Sequence, residues 1–381
     1  METTQPSFQN ENPVESTWKP DPGFHALETT GKLSTSGFHA VSMWFPIHGN
    51  SAIRAVVWYQ NCLCSYRIRK KSTNAGTLNS EYRSQLFYKD EEPGQSECDP
   101  STSSNLGLYK RAIKIRNSKE SEIEGVILED IFSCSKYLIN GVDLYLKLYR
   151  NNVSFVLLSA EDNRQYRIKI NDAILKCMRV KVDPGIIIAH SKILENESAR
   201  YQFLKSEVKT HVVAKDSNLM VWDIVWPNAT PRIIVLGLIE SSSLNGDLTK
   251  NPLYFDHFNC IEVGIYVNGE SFPHRPFKTD FAKKLYSTAF QSLFTVCPSI
   301  CKSKELVIDD QDFALGYSLY AFSLEPIYFD QEHVNLVKQA NIRIEMRFGT
   351  PLTETVTCVA FAEFNEEITI DKTRDVRLIQ P

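Results

Sequence analysis

Within Asn259-Cys260-Ile261-Glu262-Val263-Gly264-Ile265-Tyr266-Val267-Asn268-Gly269, the residues Ile261, Val263, Ile265 and Val267 recur at period two and the run closes on Asn-Gly. Successive strand side chains point to opposite faces, so this alternation predicts a half-buried antiparallel strand. Asn-Gly accepts the positive φ that a tight hairpin turn demands. The same alternation returns at Ile342, Ile344, Met346 and Phe348, with Arg343, Glu345 and Arg347 on the opposite face. It returns again at Val142, Leu144, Leu146 and Leu148, directly after the turn pair Asn140-Gly141. A chain patterned in this way is committed to β-layers, each of which must bury one face.

With 381 residues and 43% hydrophobic content, the chain can bury a sizeable core and is expected to divide into two domains. Its net charge of −4 and pI near 6.1 give no overall positive field, so neither direct nucleic-acid binding nor a membrane partner is expected. No apolar stretch approaches the roughly 20 residues that cross a bilayer. Met1-Glu2-Thr3-Thr4-Gln5 lacks the pattern of a signal peptide, and an intracellular location, nucleus or cytoplasm, is expected. Nine cysteines, an odd number without framework spacing, read as reduced thiols. Cys134, Cys177, Cys260 and Cys358 fall in strand-like runs, where a free cysteine packs as a small hydrophobe. The acceptor patterns at Asn152, Asn196 and Asn228 have no secretory signal to give them meaning.

Residues 1–36 are rich in Pro, Ser, Thr, Asn and Glu and are expected to form a disordered arm. Apolar runs such as Ala55-Val56-Val57-Trp58-Tyr59 follow, then a long polar loop over about 70–105. Strand signals become dense from Ile113, over Tyr137–Leu148, Ser154–Leu158 and Tyr166–Val182. Asp183-Pro184 then opens a short helix through Leu194, with Asp as the cap and Pro where its missing N–H is harmless. The boundary between domains is placed after this helix, at Asn196, giving 37–196 and 197–381. The second domain offers eight strand candidates, near 207–214, 219–226, 232–239, 260–268, 318–324, 341–348, 355–364 and 367–378. One helix is expected among them, Asp280–Phe294, with Phe281, Leu285, Ala289 and Leu293 on one face. Eight strands and one helix in that length predict a jelly roll, two four-stranded sheets face to face. Ile233–Ile239 is apolar throughout, as a strand covered on both faces would be.

Searching for chemistry returns little. No phosphate loop, H-E-x-x-H zinc helix or G-x-S-x-G elbow occurs. Cys297 with Cys301, and Cys62 with Cys64, lack the spacing of a zinc knuckle and two further ligands. Asp309, Asp310 and Asp312 gather carboxylates without the glycine turn of a calcium loop and read as a solvated loop. Tyr66 with Arg67, Arg69, Lys70 and Lys71 reads as a solvated strand edge rather than a phosphate patch, and His257, His274 and His333 as packed or hydrogen-bonded side chains. No catalytic, cofactor-binding or metal-ligating residue is assigned, no small-molecule substrate is expected, and the chain reads as a non-enzyme. The alternative is a cellular ligand- or carbohydrate-binding β-sandwich, and for carbohydrate Trp222, Asp223, Trp226 and Asn228 are the one cluster with suitable chemistry.

Tyr137-Leu138-Ile139-Asn140-Gly141-Val142-Asp143-Leu144, Leu248-Thr249-Lys250-Asn251-Pro252, Gly316-Tyr317-Ser318-Leu319-Tyr320-Ala321-Phe322, and Phe361-Ala362-Glu363-Phe364-Asn365 through Ile370-Asp371 follow one another in a specific order. Over about residues 84–381 that succession resembles the major capsid proteins of Polinton (Maverick) elements and adintoviruses. The resemblance implies an all-β double jelly roll, self-association into homotrimers that form pseudo-hexagonal capsomers, other capsid subunits as partners, and a place in a virion where assembly succeeds. Loop aromatics such as Tyr254, Phe255, Phe258, Tyr328 and Phe329 suit contacts between subunits. Ser84-Gln85-Leu86-Phe87-Tyr88-Lys89-Asp90 resembles a segment that in the family follows several strands, whereas here only the stretch from about residue 37 precedes it. A shortened first barrel is therefore expected, as in a remnant, a mispredicted gene or a domesticated copy.

Overall fold

The computed structural model describes residues 14–18, 26–29, 38–45, 47–48, 54–55, 83–86, 88–97, 104–125, 136–142, 146–149, 151–160, 165–177, 180–227, 229–300, 309–325 and 340–379. For residues 14–55, 146–149, Cys177 and 297–300 the description covers the backbone alone. The first half contains strands β1 (Val14–Trp18), β2 (Ala26–Thr29), β3 (Phe38–Phe45), β4 (Ile47–His48) and β5 (Arg54–Ala55), then helix α1 (Leu106–Ile115) and strands β6 (Ser121–Gly125) and β7 (Leu146–Tyr149). A helical turn α2 (Val153–Val156) and strands β8 (Leu157–Leu158), β9 (Arg167–Ile168) and β10 (Asp172–Cys177) complete it. Helix α3 (Pro184–Leu194) leads into the second half, with Asp183 accepting from the Gly185 N–H at its N-terminus.

The second half holds β11 (Ala199–Val213), β12 (Leu219–Trp222), β13 (Ile233–Glu240), α4 (Ser241–Gly246), β14 (Cys260–Val267) and β15 (Glu270–Lys278). After these come α5 (Ser287–Ile300), α6 (Asp310–Ala314), β16 (Leu319–Ser323), β17 (Ile342–Phe348), β18 (Val356–Ile370) and β19 (Val376–Ile379). One sheet runs β11-β18-β13-β16 with β19 beside β18, and the other runs β12-β17-β14-β15. Counted along the chain as strands one to eight, these are orders 1-8-3-6 and 2-7-4-5, the interleaving of a jelly roll. The first half repeats the scheme in its sheet β1-β10-β3-β6, in which the last strand, β6, follows a helix as β16 does, and in the flanking pair β2–β7. The fold is all-β with short helices, a double jelly roll.

Local chemistry explains the second barrel. On β17, Ile342, Ile344, Met346 and Phe348 are buried while Arg343 and Arg347 face water. Asn268 and Gly269 both take positive φ and turn β14 back into β15 as Asn-Gly should. β13 is buried on both faces: the Phe255 ring lies over Gly237, where an added Cβ would sit 2.5 Å from its Cδ1. Cys260 and Cys358 lie fully buried in this core among Val263, Ile265, Phe313 and Phe361. Burial pushes the Cys260 thiol up to about 12, so it packs as a hydrophobe.

Several expectations change. The helix placed at Asp280–Phe294 begins instead at Ser287, because Asp280 accepts from the Lys283 N–H and Lys284 has positive φ, closing a turn. Its core face is Ala289, Leu293 and Val296, and Leu285, expected on that face, is 61% exposed. The two strands expected over 355–378 are one long β18 and the short β19, the turn between them held by the Asp371 carboxylate, which accepts from the Thr373 and Asp375 N–H groups. β15 carries Pro273 and Pro276, which hid it from sequence reading; as the outer strand of its sheet it tolerates missing donors. Within 1–36, expected to be disordered, β1 and β2 are strands, β1 pairing from Val14 opposite Cys177 to Trp18 opposite Ala173. Val14, Thr17 and Trp18 favour extended backbone, but their partner strand lies far along the chain, where local composition is silent.

Candidate functional site

The residues that bear the family resemblance converge on the seam between the two barrels. Leu248 packs against Leu86, Ile115, Ile123 and Leu157 of the first barrel, and Leu253 against Leu108 and Leu158. The Ser159 N–H donates to the Leu248 carbonyl at 2.7 Å. Asn251, buried, donates through Nδ2 to the Pro93 carbonyl at 2.9 Å, while its Oδ1 accepts from the Leu253 N–H and so fixes its own loop. Lys89 forms an ion pair with Asp312 on α6, and the Tyr317 hydroxyl donates to the Asp90 carbonyl at 3.4 Å. Glycines set the approach: Gly316 has φ +101, and a Cβ there would lie 2.5 Å from Tyr254 Cδ2 and 2.7 Å from Pro93 Cγ. Gly246, also at positive φ, leaves no room for a side chain beside Ser154.

A second contact joins the barrels near their chain connection. The Tyr201 hydroxyl on β11 donates to the Tyr137 carbonyl and accepts from the Ile139 N–H, both at 3.1 Å. Gly141, in the Asn140-Gly141 turn, faces the Arg374 side chain, and Val142, Tyr201 and Ile370 share one buried cluster. All four resemblance stretches thus supply strands of the barrels and the fittings between them.

Behind the seam, the first barrel braces the segment that makes these contacts. Arg111 on α1 grips the Asp90 carboxylate at 2.5 and 2.7 Å and donates to the Tyr88 carbonyl at 2.6 Å. Both side chains are buried, and burial pushes the Asp90 carboxyl up from its ordinary value while Arg111 opposes the shift. Burial likewise raises the Tyr317 hydroxyl, keeping it a neutral donor. These groups can hold a geometry; none is a nucleophile poised against a base.

The individually considered residues take structural positions. Asp309 caps α6 by accepting from the Asp312 N–H at 2.7 Å, and the Asp312 carboxylate in turn accepts from the Asp309 N–H at 2.9 Å, so the two carboxylates form a capping box joined to the ion pair with Lys89. His257 stacks on Phe281 with centroids 4.0 Å apart and its Nδ1 accepts from the Asn259 N–H; His274 is exposed on β15. Trp226 is 2% exposed and packs edge-on to Phe364, and Trp222 is half-buried and stacked on His211, so this pair offers no open aromatic platform for a sugar. Asp223 pairs with Arg343 at 3.4 Å. Tyr254 and Phe255, read as subunit contacts, are used inside the molecule at Gly316 and Gly237. Cys297 lies in α5. Cys62, Cys64, Tyr66, Arg67, Arg69, Lys70, Lys71, Asn228, Cys301, Tyr328, Phe329 and His333 lie outside the described residues. Among the described residues no three His, Cys, Asp or Glu side chains are grouped to hold a metal, and no helix is long and apolar enough to cross a membrane. Sequence reading missed the seam because its described parts, 84–86, 88–97, 246–256 and 312–317, are short connecting segments and helix ends that no periodicity marks.

No known family's sequence profile matches the chain. The Caenorhabditis elegans "Uncharacterized protein F54H12.2" is 23% identical over 353 residues, covering 88% of this chain and 79% of that one. In structure the chain is similar to a chain of the Sputnik virophage, known from cryo-EM at 3.5 Å, with a TM-score of 0.57 at 10% identity over 100% of this chain and 91% of that one. It is also similar to the mavirus major capsid protein, with a TM-score of 0.46 at 11% identity over 98% and 90% of the two chains. The class defined by the fold is thus a double jelly roll, and the Sputnik virophage chain shares it.

Proposed function

We propose that this chain is a capsid-type structural protein that works by self-association, as a homotrimeric building block, and that it derives from an integrated virus-like element of the Polinton (Maverick) and adintovirus kind. The observation that carries this reading is the pairing of orders 1-8-3-6 and 2-7-4-5 in the second barrel with the repeated β1-β10-β3-β6 sheet in the first. The fold similarity spanning the whole chain and nine-tenths of the Sputnik virophage chain supports it. So does the chemistry at the seam, whose described residues fix the placement of one barrel on the other. Such a protein acts through shape and symmetric contacts, in the nucleus or cytoplasm and in a particle where assembly succeeds.

An exposed apolar surface suits the role. Ile187, Ile188 and Ile193 on α3 stand in solvent at 41%, 60% and 58% exposure, an arrangement that favours association. Light scattering coupled to size exclusion tests the reading: a mass three times that of the chain is expected at micromolar concentration, falling to one chain in Ile188→Asp. A monomer at all concentrations would count against self-association.

A further inference from the structure

We propose that residues 88–97 form a strap, a first-barrel segment that closes over the second barrel and makes the two barrels unfold as one unit. The segment is bonded on both sides. Toward the second barrel, Lys89 pairs with Asp312, the Asp90 carbonyl accepts from Tyr317, and the Pro93 carbonyl accepts from the buried Asn251 Nδ2 at 2.9 Å. Gly94 lies against Tyr254, and Tyr254 and Pro93 both close on the space left by Gly316. Toward its own barrel, the Asp90 carboxylate is held by Arg111, Glu91 accepts from the Gly107 N–H at 2.9 Å, and the Glu92 carbonyl accepts from Asn105 Nδ2 at 2.9 Å. Gly107 has no side chain because any Cβ there would collide with the Lys89 carbonyl. Asn105 also caps α1, accepting from the Leu108 N–H, so the start of this helix and the strap share one residue.

Two consequences follow from this bonding. Opening α1 strips the strap of its bracing, and opening α6 with the turn that follows it strips it of Asp312 and Tyr317, so neither barrel loosens at the seam without exposing the other. The apolar contacts of Leu248 and Leu253 remain when the strap's outer bonds are cut, but they are non-directional and do not set an angle between the barrels.

The test uses the full chain with Lys89→Met and Asn251→Asp combined. Met keeps the length of Lys89 without its charge, and Asp keeps the acceptor that fixes the Leu253 turn while losing the donor to Pro93. Calorimetry and hydrogen exchange are read together. The wild type should melt in one transition, with amides of α1 and β16 exchanging at a common slow rate. In the double variant the transition should split in two and α1 amides should exchange at least tenfold faster, with β13 and β18 unchanged. Lys250→Ala, which cuts a Lys–Glu240 pair lying wholly within the second barrel, should leave one transition. Two transitions in the wild type, or a single lowered transition in the double variant, would overturn the proposal.

Discussion

The core of the second barrel and the seam between the barrels are built on opposite principles. The core is aliphatic and aromatic, with β13, β16, β17 and β18 contributing side chains that differ little in kind and even accommodating two cysteine thiols. The seam is made of directional groups, Asn251, Asp90, Arg111, Lys89, Asp312 and Tyr317, with glycines where the backbones approach. Burial of the first kind supplies stability in proportion to area and tolerates repacking. Groups of the second kind add little net energy, yet each is costly to leave unpaired, so they select one relative placement of the barrels.

Phe361→Ala sharpens this comparison most: with Phe361 fully buried in the core, a loss of about 4 kcal/mol in chemical denaturation is expected. Arg111→Ala should cost about 3 kcal/mol by stranding Asp90, whereas the pair Arg111→Met with Asp90→Leu should recover most of it. If the paired replacement is as damaging as the single one, the seam is a store of stability and the contrast with the core fails. Gly316→Ala should cost about 2 kcal/mol, because it adds a side chain at φ +101 against Tyr254.

The smallest effect is a pH slope. Burial lowers the His257 pKa below its ordinary 6.5, so on acidification the unfolded chain takes up this proton before the folded one does. Stability contributed by the neutral ring is complete above about pH 6.5 and declines as pH falls from there toward the folded value. Denaturation midpoints of His257→Gln should lack this part of the slope; an identical slope would assign it to other groups.

Sequence reading reached the second barrel because its signals are local. Period-two burial on β17, the Asn-Gly hairpin after β14 and the Asp183 cap of α3 each follow from residues within a few positions of one another. It failed where structure depends on distant partners. β1 is extended because β10 lies beside it, and α1 buries Leu108, Ala112 and Ile115 while leaving Leu106 and Ile113 exposed, so its core face is not marked by a clean apolar stripe. At Asp280 the side chain competes with the helix and wins, which an apolar face drawn through Phe281 and Leu285 does not register. The seam was legible only as a succession of stretches that resembled a family. That Asn251 reaches Pro93, or that Lys89 reaches Asp312, requires the fold to be known.

The central claim, a double jelly roll that assembles from copies of itself, is tested most directly by electron microscopy of the purified full-length chain. Three-fold particles with a pseudo-hexagonal outline, each subunit showing two lobes, are the predicted result. A uniform field of single two-lobed particles at micromolar concentration, unchanged on further concentration, would contradict it.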